Sequence, residues 1–250
     1  SEIRELRKKF GIIPFVKQIR TARRWLETAN YLYFTYSSDK DDIEFSGKNK
    51  VIVLGSGCYR IGSSVEFDWC CVNMAWSLKK EIEEVIMVNY NPETVSTDFD
   101  VLDKLYFEVL TLERVLDIVD KETPQGVVVS VGGQIPNNLA VKLADNDVKI
   151  LGTSAEDIDK AEDRSKFSSI LDDLGIAQPK WSKLTSLGKA KSFAEEIGYP
   201  ILIRPSYVLS GSAMKVASDE NQLESYLKAA TKVSKEHPVV ISKFITEAKD

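Results

Sequence analysis

Short apolar runs alternate with amphipathic segments along the first part of the chain, and this alternation restricts the folds available to it. Between two of the runs, apolar side chains recur at helical spacing from Phe67 to Leu78. A parallel sheet with crossover helices requires such an order of elements. The pattern predicts a doubly wound parallel α/β domain of about 100 residues. Its predicted strands lie at residues 51–54, 85–88, 127–129 and 148–151.

The pattern changes in the second part of the chain. A capping pattern at Ser154 predicts a helix that continues through Arg164 to Phe167, and a different order of elements follows Gly175. This order predicts an α+β second domain that is incomplete. Its predicted helices lie near 186–197 and 221–233, and its predicted strands near 200–204, 214–217 and 239–244.

The residues before the α/β domain begin with a charged, helix-like segment and an aromatic cluster at 31–36. The polar stretch at 37–50 then predicts a linker. The chain begins inside the charged segment and stops at Asp250, just after an apolar run. We therefore interpret it as a piece of a longer protein.

Composition excludes several classes of function. The formal net charge of -5 and the pI near 5.2 provide no basic field for a nucleic acid. No apolar stretch reaches the roughly 18 residues of a membrane span, and the charged start lacks the apolar core of a signal peptide. Three cysteines and the single His237 form neither a disulfide framework nor a zinc motif. We expect an intracellular protein without nucleic-acid partners, membrane segments or metal ligands in this chain.

The glycine cluster Gly55 to Gly62 follows one predicted strand and precedes a predicted helix, a context in which backbone N–H groups can hold an anion. It is not the dinucleotide fingerprint, because Arg60 replaces the third glycine and Asn89 to Asn91 replace the acid after the second strand. A tight turn with close packing explains these glycines equally well.

Polar turns at three further places fall at the carboxyl ends of the predicted strands or on the helix beside them. They are Glu66 to Asp68, Asn91 to Thr94 and Gly132 to Gln134. Open α/β sheets place ligands at this edge. Each turn alone is explained by capping or turn formation, but together they indicate the rim of a site.

Arg204 ends an apolar strand and precedes a loop of small residues from Pro205 to Ser212. A planar, permanently charged fork beside backbone N–H groups suits phosphate oxygens. A structural ion pair with a nearby carboxylate is the equal alternative. The chain contains no P-loop and no Ser/His/Asp or Cys/His nucleophile arrangement, so covalent catalysis is not indicated.

Several long motifs, in order along the chain, resemble the large chain of carbamoyl-phosphate synthase. The forms "NPETVSTD" and "RPSYVLSG" resemble the second of the two homologous synthetase halves of that family, and "RIGSSVEFDW" resembles its eukaryotic members. The motifs are Arg60 to Trp69, Val88 to Asp98, Gly132 to Gln134, Ala161 to Arg164 and Arg204 to Gly211.

The resemblance implies three domains. Residues 1–48 correspond to the tail of a helical connecting and oligomerisation domain with its linker. Residues 49–152 correspond to a pre-ATP-grasp α/β domain, and residues 153–250 to the first lobe of an ATP-grasp domain. The resemblance further implies a second ATP-grasp lobe, which carries a Glu and Asn pair of magnesium ligands, beyond Asp250.

The resemblance also assigns roles to individual residues. It implies that Arg204 contacts the ATP phosphates, that Arg164 is a second arginine on the nucleotide side, and that Ser210 and Gly211 belong to a phosphate-covering loop. It further implies that Lys243 and Ile245 belong to the segment that holds the adenine, and that Asp250 is a ribose-binding acid.

The implied reaction is the phosphorylation of carbamate by ATP with Mg²⁺. The implied partners are the first synthetase half, a glutaminase part and further copies of the same protein, and we expect a cytoplasmic location, with the mitochondrion as the alternative. The chain alone is expected to be inactive. Two other interpretations stay open at this point, another ATP-grasp ligase such as a biotin-carboxylase relative, and a non-catalytic scaffold or regulatory half.

Overall fold

The computed structural model describes residues 2–19, 31–45, 47, 49–58, 65–98, 100–184, 186–206, 214–233 and 239–246. By its internal contacts the chain divides into two compact units, Ser1–Ala155 and Glu156–Asp250. The domain boundaries that the resemblance implies, after residues 48 and 152, stay predictions.

The described residues of the first unit form a seven-stranded sheet in the order β1-β2-β5-β4-β3-β6-β7, parallel except for β1 against β2. The predicted α/β class with a parallel sheet is confirmed. The strands are β1 (Phe15–Gln18), β2 (Tyr31–Thr35), β3 (Lys50–Leu54), β4 (Glu84–Asn89), β5 (Lys104–Phe107), β6 (Gly126–Val128) and β7 (Ile150–Leu151). The helices are α1 (Glu2–Lys9), α2 (Val65–Leu78), α3 (Leu112–Glu122), α4 (Gln134–Asn137) and α5 (Ala140–Ala144).

The central strands are buried along their length because the sheet is covered on both faces. Every residue of β3 is buried, as a continuous apolar run in a parallel sheet predicts. Val51 and Val53 pack against Cys71 and Ala75 of α2, whereas Ile52, which points to the opposite face, is equally buried. The four predicted strands of this domain are present as β3, β4, β6 and β7.

Two strands that the sequence analysis did not predict, β1 and β2, lie before residue 48 and extend the sheet. Leu32 and Phe34 of β2 alternate with more exposed neighbours and are buried, and β2 pairs with β5. The aromatic cluster noted in the sequence therefore belongs to a sheet strand. The short strand β5 was also missed.

Helix α1 is attached to α3 by charged side chains rather than by an apolar face. The buried guanidinium of Arg4 donates to Asp117 at 3.2 Å, and Arg7 donates to the same carboxylate at 2.9 Å. These partners lie more than a hundred residues apart in the chain. Local patterning could not have indicated this attachment.

A buried group of charged side chains, which we call the Glu122 cluster, connects β3, β5 and the end of α3. Lys50 and Lys104 donate to the Glu122 carboxylate at 2.9 and 3.0 Å, and Glu84 accepts from Lys104 at 2.9 Å. The Tyr106 hydroxyl donates to the other Glu122 oxygen. Glu122 and Tyr106 are fully buried, so the charges of the cluster depend on one another.

The Glu122 cluster predicts a loss of stability at alkaline pH. Burial and the neighbouring Glu122 charge raise the pKa of the Tyr106 hydroxyl, so above pH 10 the unfolded chain releases this proton first. Stability contributed by Tyr106 is therefore present below about pH 10 and falls by about 1.4 kcal/mol per pH unit above it. In Tyr106→Phe, the free energy of unfolding, measured in urea between pH 9 and pH 11, is expected to lose this part of its decrease with pH. The exposed Tyr33, changed to Phe, is the control, and an unchanged slope in Tyr106→Phe would contradict the prediction.

The described residues of the second unit form a four-stranded antiparallel sheet in the order β10-β9-β11-β8. Its strands are β8 (Trp181–Lys183), β9 (Ile201–Pro205), β10 (Lys215–Ala217) and β11 (Val239–Lys243). Its helices are α6 (Ala155–Glu162), α7 (Arg164–Asp173), α8 (Leu187–Ile197) and α9 (Glu220–Val233). The predicted strands of this domain are present, and β8 was missed.

One face of this second sheet packs on α8 and α9. Ile201 and Ile203 of β9 join Val239 and Ile241 of β11 in one apolar cluster with residues of these helices. Because side chains alternate along a strand, Arg204 and its register partner Val240 point to the opposite face. The sheet thus separates the core side of the unit from the side that carries Arg204.

Two helices replace the single helix that the sequence analysis predicted from Ser154 to Phe167. Helix α6 ends at Glu162 and α7 begins at Arg164. Between them, Asp163 is extended, and its buried carboxylate accepts the N–H groups of Ser165 and Lys166. An acid in this position caps a helix start, which explains the break.

Candidate functional site

The loop after β3 is held by an amide side chain at the end of β4. Asn89 is fully buried, and its Oδ1 accepts the N–H of Gly57 at 3.0 Å while its Nδ2 donates to Ser96 Oγ at 3.2 Å. A Cβ at Gly55 would lie 2.5 Å from Asn89 Cγ. The amide must both accept and donate here, which gives a physical reason for Asn in place of the acid of dinucleotide-binding proteins. Residues 59–64 of the glycine cluster lie outside the described residues.

The turn after β4 is connected to α2 through a carboxylate. Asp68 of α2 is buried and accepts the backbone N–H of Ser96 at 3.2 Å. Thr94 and Thr97 donate to the carbonyl of Asn91 at 3.2 and 3.0 Å. Two of the three polar turns that the sequence placed at this edge of the sheet, those at Asp68 and after Asn91, are therefore linked by hydrogen bonds.

Cys71 of α2 lies beneath these loops, with its sulfur 3.8 Å from the carbonyl oxygen of Leu54 and 3.6 Å from that of Val131. Burial raises the pKa of its thiol to about 12. The thiol is therefore neutral at physiological pH and serves as a core residue, as the sequence analysis indicated.

Gly132 brings the loop after β6 against the end of β3. A Cβ at this residue would lie 2.5 Å from the carbonyl oxygen of Leu54 and 2.7 Å from that of Gly55. Both neighbours are backbone atoms, which cannot move aside as a flexible side chain can. Glycine is therefore required here by close packing of two loops.

Gly132→Ala is expected to lower the free energy of unfolding of the first unit by about 2–3 kcal/mol, the cost of overpacking a closed site. The matched control is Gly188→Ala. Gly188 is an exposed residue of helix α8, and an added Cβ there would meet no atom within 4 Å. That control should stabilise by up to about 1 kcal/mol. Urea unfolding of the two variants checks both expectations, and equal effects of the two substitutions would contradict them.

Arg204 of β9 is the most unusual polar side chain of the second unit. Its Nε is buried and has no hydrogen-bond partner among the described residues. Burial, with the neighbouring positive charge of Arg164, lowers the pKa of the Arg204 guanidinium. A buried donor without a partner costs free energy unless a ligand satisfies it.

Arg164 stands beside Arg204 at the start of α7. Its Nε donates to the carbonyl of Pro205 at 2.9 Å, and its Nη2 lies 4.0 Å from the sulfur of Met214. Within the part of the chain that the structure describes, neither arginine forms an ion pair with a carboxylate. Two neighbouring cations without a counter-ion form a site for an anion.

The Lys243 side chain lies on the face of the sheet opposite to that of Arg204. Lys243 pairs with Ile201 and therefore shares the face of the apolar cluster, opposite the face of Arg204. Its amine donates to the carbonyls of Gly198 and Tyr199 at 3.0 and 2.9 Å, at the end of α8. Ile245 is 58% exposed. The predicted adenine role of this segment stays a prediction.

Three predicted site residues, Ser210, Gly211 and Asp250, lie outside the described residues, as does most of the predicted phosphate-covering loop. Asp163 and Ser206 lie within motifs that the sequence analysis quoted, but it gave neither residue a role, although both contact the Arg164 region. An acid directly before a helix could have indicated the cap at Asp163. The contact of Ser206 with α7 joins residues 42 positions apart, so no local pattern indicates it.

Within the described ranges, no group of three or more His, Cys, Asp or Glu side chains is arranged to hold a metal ion. None of the helices in these ranges has the length and apolar character needed to cross a membrane.

The parallel α/β sheet of the first unit and the antiparallel sheet of the second define the chain by its fold, which biotin carboxylase domains share. The structure is similar to the biotin carboxylase domain of 2-oxoglutarate carboxylase from Hydrogenobacter thermophilus, with a TM-score of 0.59 and 18% identity. The similarity covers 79% of this chain and 44% of that chain. At this identity it shows the fold alone.

The family follows from sequence comparison. Residues 47–160 match the carbamoyl phosphate synthase preATP-grasp domain, and residues 163–250 match the ATP binding domain of the carbamoyl-phosphate synthase L chain. The chain belongs to the carbamoyl-phosphate synthase large-chain family. The far weaker likeness to biotin carboxylase leaves that alternative without support.

Two curated relatives illustrate the match. The chain is 58% identical over 250 residues to the arginine-specific large chain of carbamoyl phosphate synthase from Eremothecium gossypii. It is 57% identical over 249 residues to multifunctional protein URA2 of Saccharomyces cerevisiae. The matches cover 100% and 99% of this chain but only 22% and 11% of those relatives. The chain therefore corresponds to one part of a much longer protein.

Proposed function

We propose that this chain provides part of the ATP site of a carbamoyl-phosphate synthase, in the half that transfers phosphate from ATP to carbamate. The observation that carries the proposal is the Arg164 and Arg204 pair, in which the buried Nε of Arg204 lacks a partner and no described carboxylate neutralises the charges. The family match to an ATP binding domain makes ATP phosphates the anion that fits.

The chemistry requires positioning and charge compensation from these residues. A carbamate oxygen attacks the terminal phosphorus of ATP, the bond from that phosphorus to the oxygen bridging to ADP breaks, and ADP leaves with the bonding electrons. The guanidinium groups hold the phosphate oxygens and stabilise the charge that spreads over them during transfer. The absence of a nucleophile arrangement in the sequence fits this direct transfer.

ATP-dependent transfer of this kind uses Mg²⁺, which neutralises phosphate charge when it is bound. The described residues do not provide a fitting set of acidic ligands. We therefore attribute no step of the reaction to a metal held by the described residues, and the proposed Glu and Asn ligands belong to the second lobe.

The assignment to the carbamate-phosphorylating half is supported by the motifs NPETVSTD and RPSYVLSG, which resemble the second synthetase half. We further propose that the complete protein contains the first synthetase half and acts with a glutaminase part. The three free cysteines fit the reducing interior of the cell that we propose, with cytoplasm preferred over mitochondrion.

The experiment that tests this function compares two partial reactions of the complete protein. ATP synthesis from ADP and carbamoyl phosphate reports on the carbamate-phosphorylating half, because it requires neither bicarbonate nor glutamine. ATP hydrolysis that depends on bicarbonate reports on the other half. An Arg204 substitution that impairs only ATP synthesis supports the proposal, and one that impairs only the hydrolysis overturns it.

A further inference from the structure

Ser206 follows β9 directly and is the link between this strand and α7. Its side chain is 1% exposed, and its hydroxyl oxygen accepts the backbone N–H of Arg164 at 3.0 Å. Arg164 is the first residue of α7, so its N–H has no acceptor within the helix. A side chain from a distant part of the chain thus completes the helix start.

The other N–H groups of the first turn of α7 are also bonded within the protein. The Asp163 carboxylate accepts those of Ser165 and Lys166 at 2.8 and 3.1 Å, and the Asp163 carbonyl accepts that of Phe167 at 2.9 Å. The helix start therefore offers no free backbone donor to a phosphate. Of the groups that Arg164 contributes, the guanidinium and not the backbone N–H is therefore the one that can meet an anion.

The Arg164 side chain is held by the same segment that holds its backbone. Its Nε donates to the carbonyl of Pro205, the residue before Ser206, and Pro205 follows Arg204. Two adjacent residues after Arg204 thus hold Arg164 at two points, one on its backbone and one on its side chain. The separation of the guanidinium groups is set by these contacts.

We propose that Ser206 is a positioning residue that sets the place of the Arg164 guanidinium relative to Arg204. The inference rests on the proposed function, because it assumes that the pair binds the phosphates of the nucleotide. The contact that carries this role is the one from the Ser206 hydroxyl to the backbone N–H of Arg164. Ser206 acts through the backbone of Arg164, and a shift of a catalytic group by about 1 Å is enough to slow a reaction strongly.

The test is a double-mutant cycle in the complete protein, with Ser206→Ala, Arg164→Ala and the double variant assayed for ATP synthesis from ADP and carbamoyl phosphate. Ser206→Ala is expected to lower kcat/KM for ADP by about tenfold and Arg164→Ala by about a hundredfold. The double variant should match Arg164→Ala within about twofold, because no side chain remains to be positioned.

Ser168→Ala is the matched control, since Ser168 is a buried serine of the same helix. None of the contacts described above joins the Ser168 side chain to the arginine pair. It should leave ATP synthesis unchanged. Bicarbonate-dependent hydrolysis and the melting temperature, measured on the same preparations, check that each variant is folded.

The possible results separate the inference from the function on which it rests. If Ser206→Ala lowers ATP synthesis by the same factor with and without the Arg164 side chain, its role is merely structural and the inference is overturned. Full activity of Ser206→Ala would also overturn the inference. Full ATP synthesis by Arg164→Ala would instead overturn the proposed phosphate role of the arginine pair itself.

Discussion

Arg204→Ala in the complete protein is expected to lower the rate of ATP synthesis from ADP and carbamoyl phosphate by about 10² to 10³, equivalent to about 2.7–4 kcal/mol. The Nε of Arg204 is buried and has no hydrogen-bond partner among the residues that the structure describes, and the side chain stands beside Arg164. Its side chain is therefore already in place for phosphate charge before the nucleotide binds. Removing such a preorganised group costs more than removing a solvated surface charge.

The charge and the shape of Arg204 can be separated by a second substitution. Arg204→Lys keeps a positive charge but loses the planar fork, so only part of the activity should return. Lys191→Ala is the control for the loss of one cation in the same unit. Lys191 already pairs with Glu220 at 2.7 Å and Glu224 at 3.3 Å. Its loss should change ATP synthesis less than about twofold.

Bicarbonate-dependent hydrolysis should survive in Arg204→Ala, because the proposed site of that reaction lies in the other half. Rates of both partial reactions, measured on one preparation, give the comparison. A wild-type rate of ATP synthesis in Arg204→Ala would remove the main support for a phosphate site at the arginine pair.

The largest effect on stability is expected from Glu122→Ala. This substitution removes the carboxylate that accepts from Lys50, Lys104 and the Tyr106 hydroxyl. Lys50 is 1% exposed, so its ammonium cannot turn to water and retains only Glu84, at 3.4 Å. Loss of one member of a buried ionic group typically costs about 3–5 kcal/mol.

Urea unfolding followed by tryptophan fluorescence measures this loss, since Trp69 and Trp76 lie on α2 in the same unit. Glu83→Ala is the matched control, because Glu83 is exposed and adjacent to Glu84 in sequence. Glu122→Gln keeps an acceptor for Tyr106 but removes the charge. A destabilisation by Glu122→Ala below about 1 kcal/mol would mean that the cluster is solvated rather than buried.

Local patterns in the sequence were sufficient for most of the regular elements. The apolar run of β3 and the helical spacing from Phe67 to Leu78 are properties of adjacent residues, and both predicted elements are present. Thr111 caps α3 as its residue type suggests, accepting the N–H of Arg114 at 3.3 Å. Strand β8 was missed because its three residues, Trp181 to Lys183, are too short a run to show an alternating pattern.

Long-range pairing explains what the patterns could not show. Strand β2 joins the sheet by pairing with β5, more than seventy residues further along the chain, and β1 joins it by pairing with β2. The Glu122 cluster joins Lys50 to a carboxylate 72 residues away. Such contacts depend on how complete elements pack, which a window of neighbouring residues does not encode.

In the candidate site too, the sequence determined some features and the tertiary structure determined others. The sequence alone determined that an arginine, Arg204, stands at the end of an apolar strand before a loop of small residues, and its motifs determined the family. Only the tertiary structure decided that Arg204 lies beside Arg164 with no carboxylate of the described ranges paired to either, and that the Lys243 amine lies on the other face of the sheet. The physical reason is that strand register selects the face of each side chain, and burial then determines which charges are left without a partner.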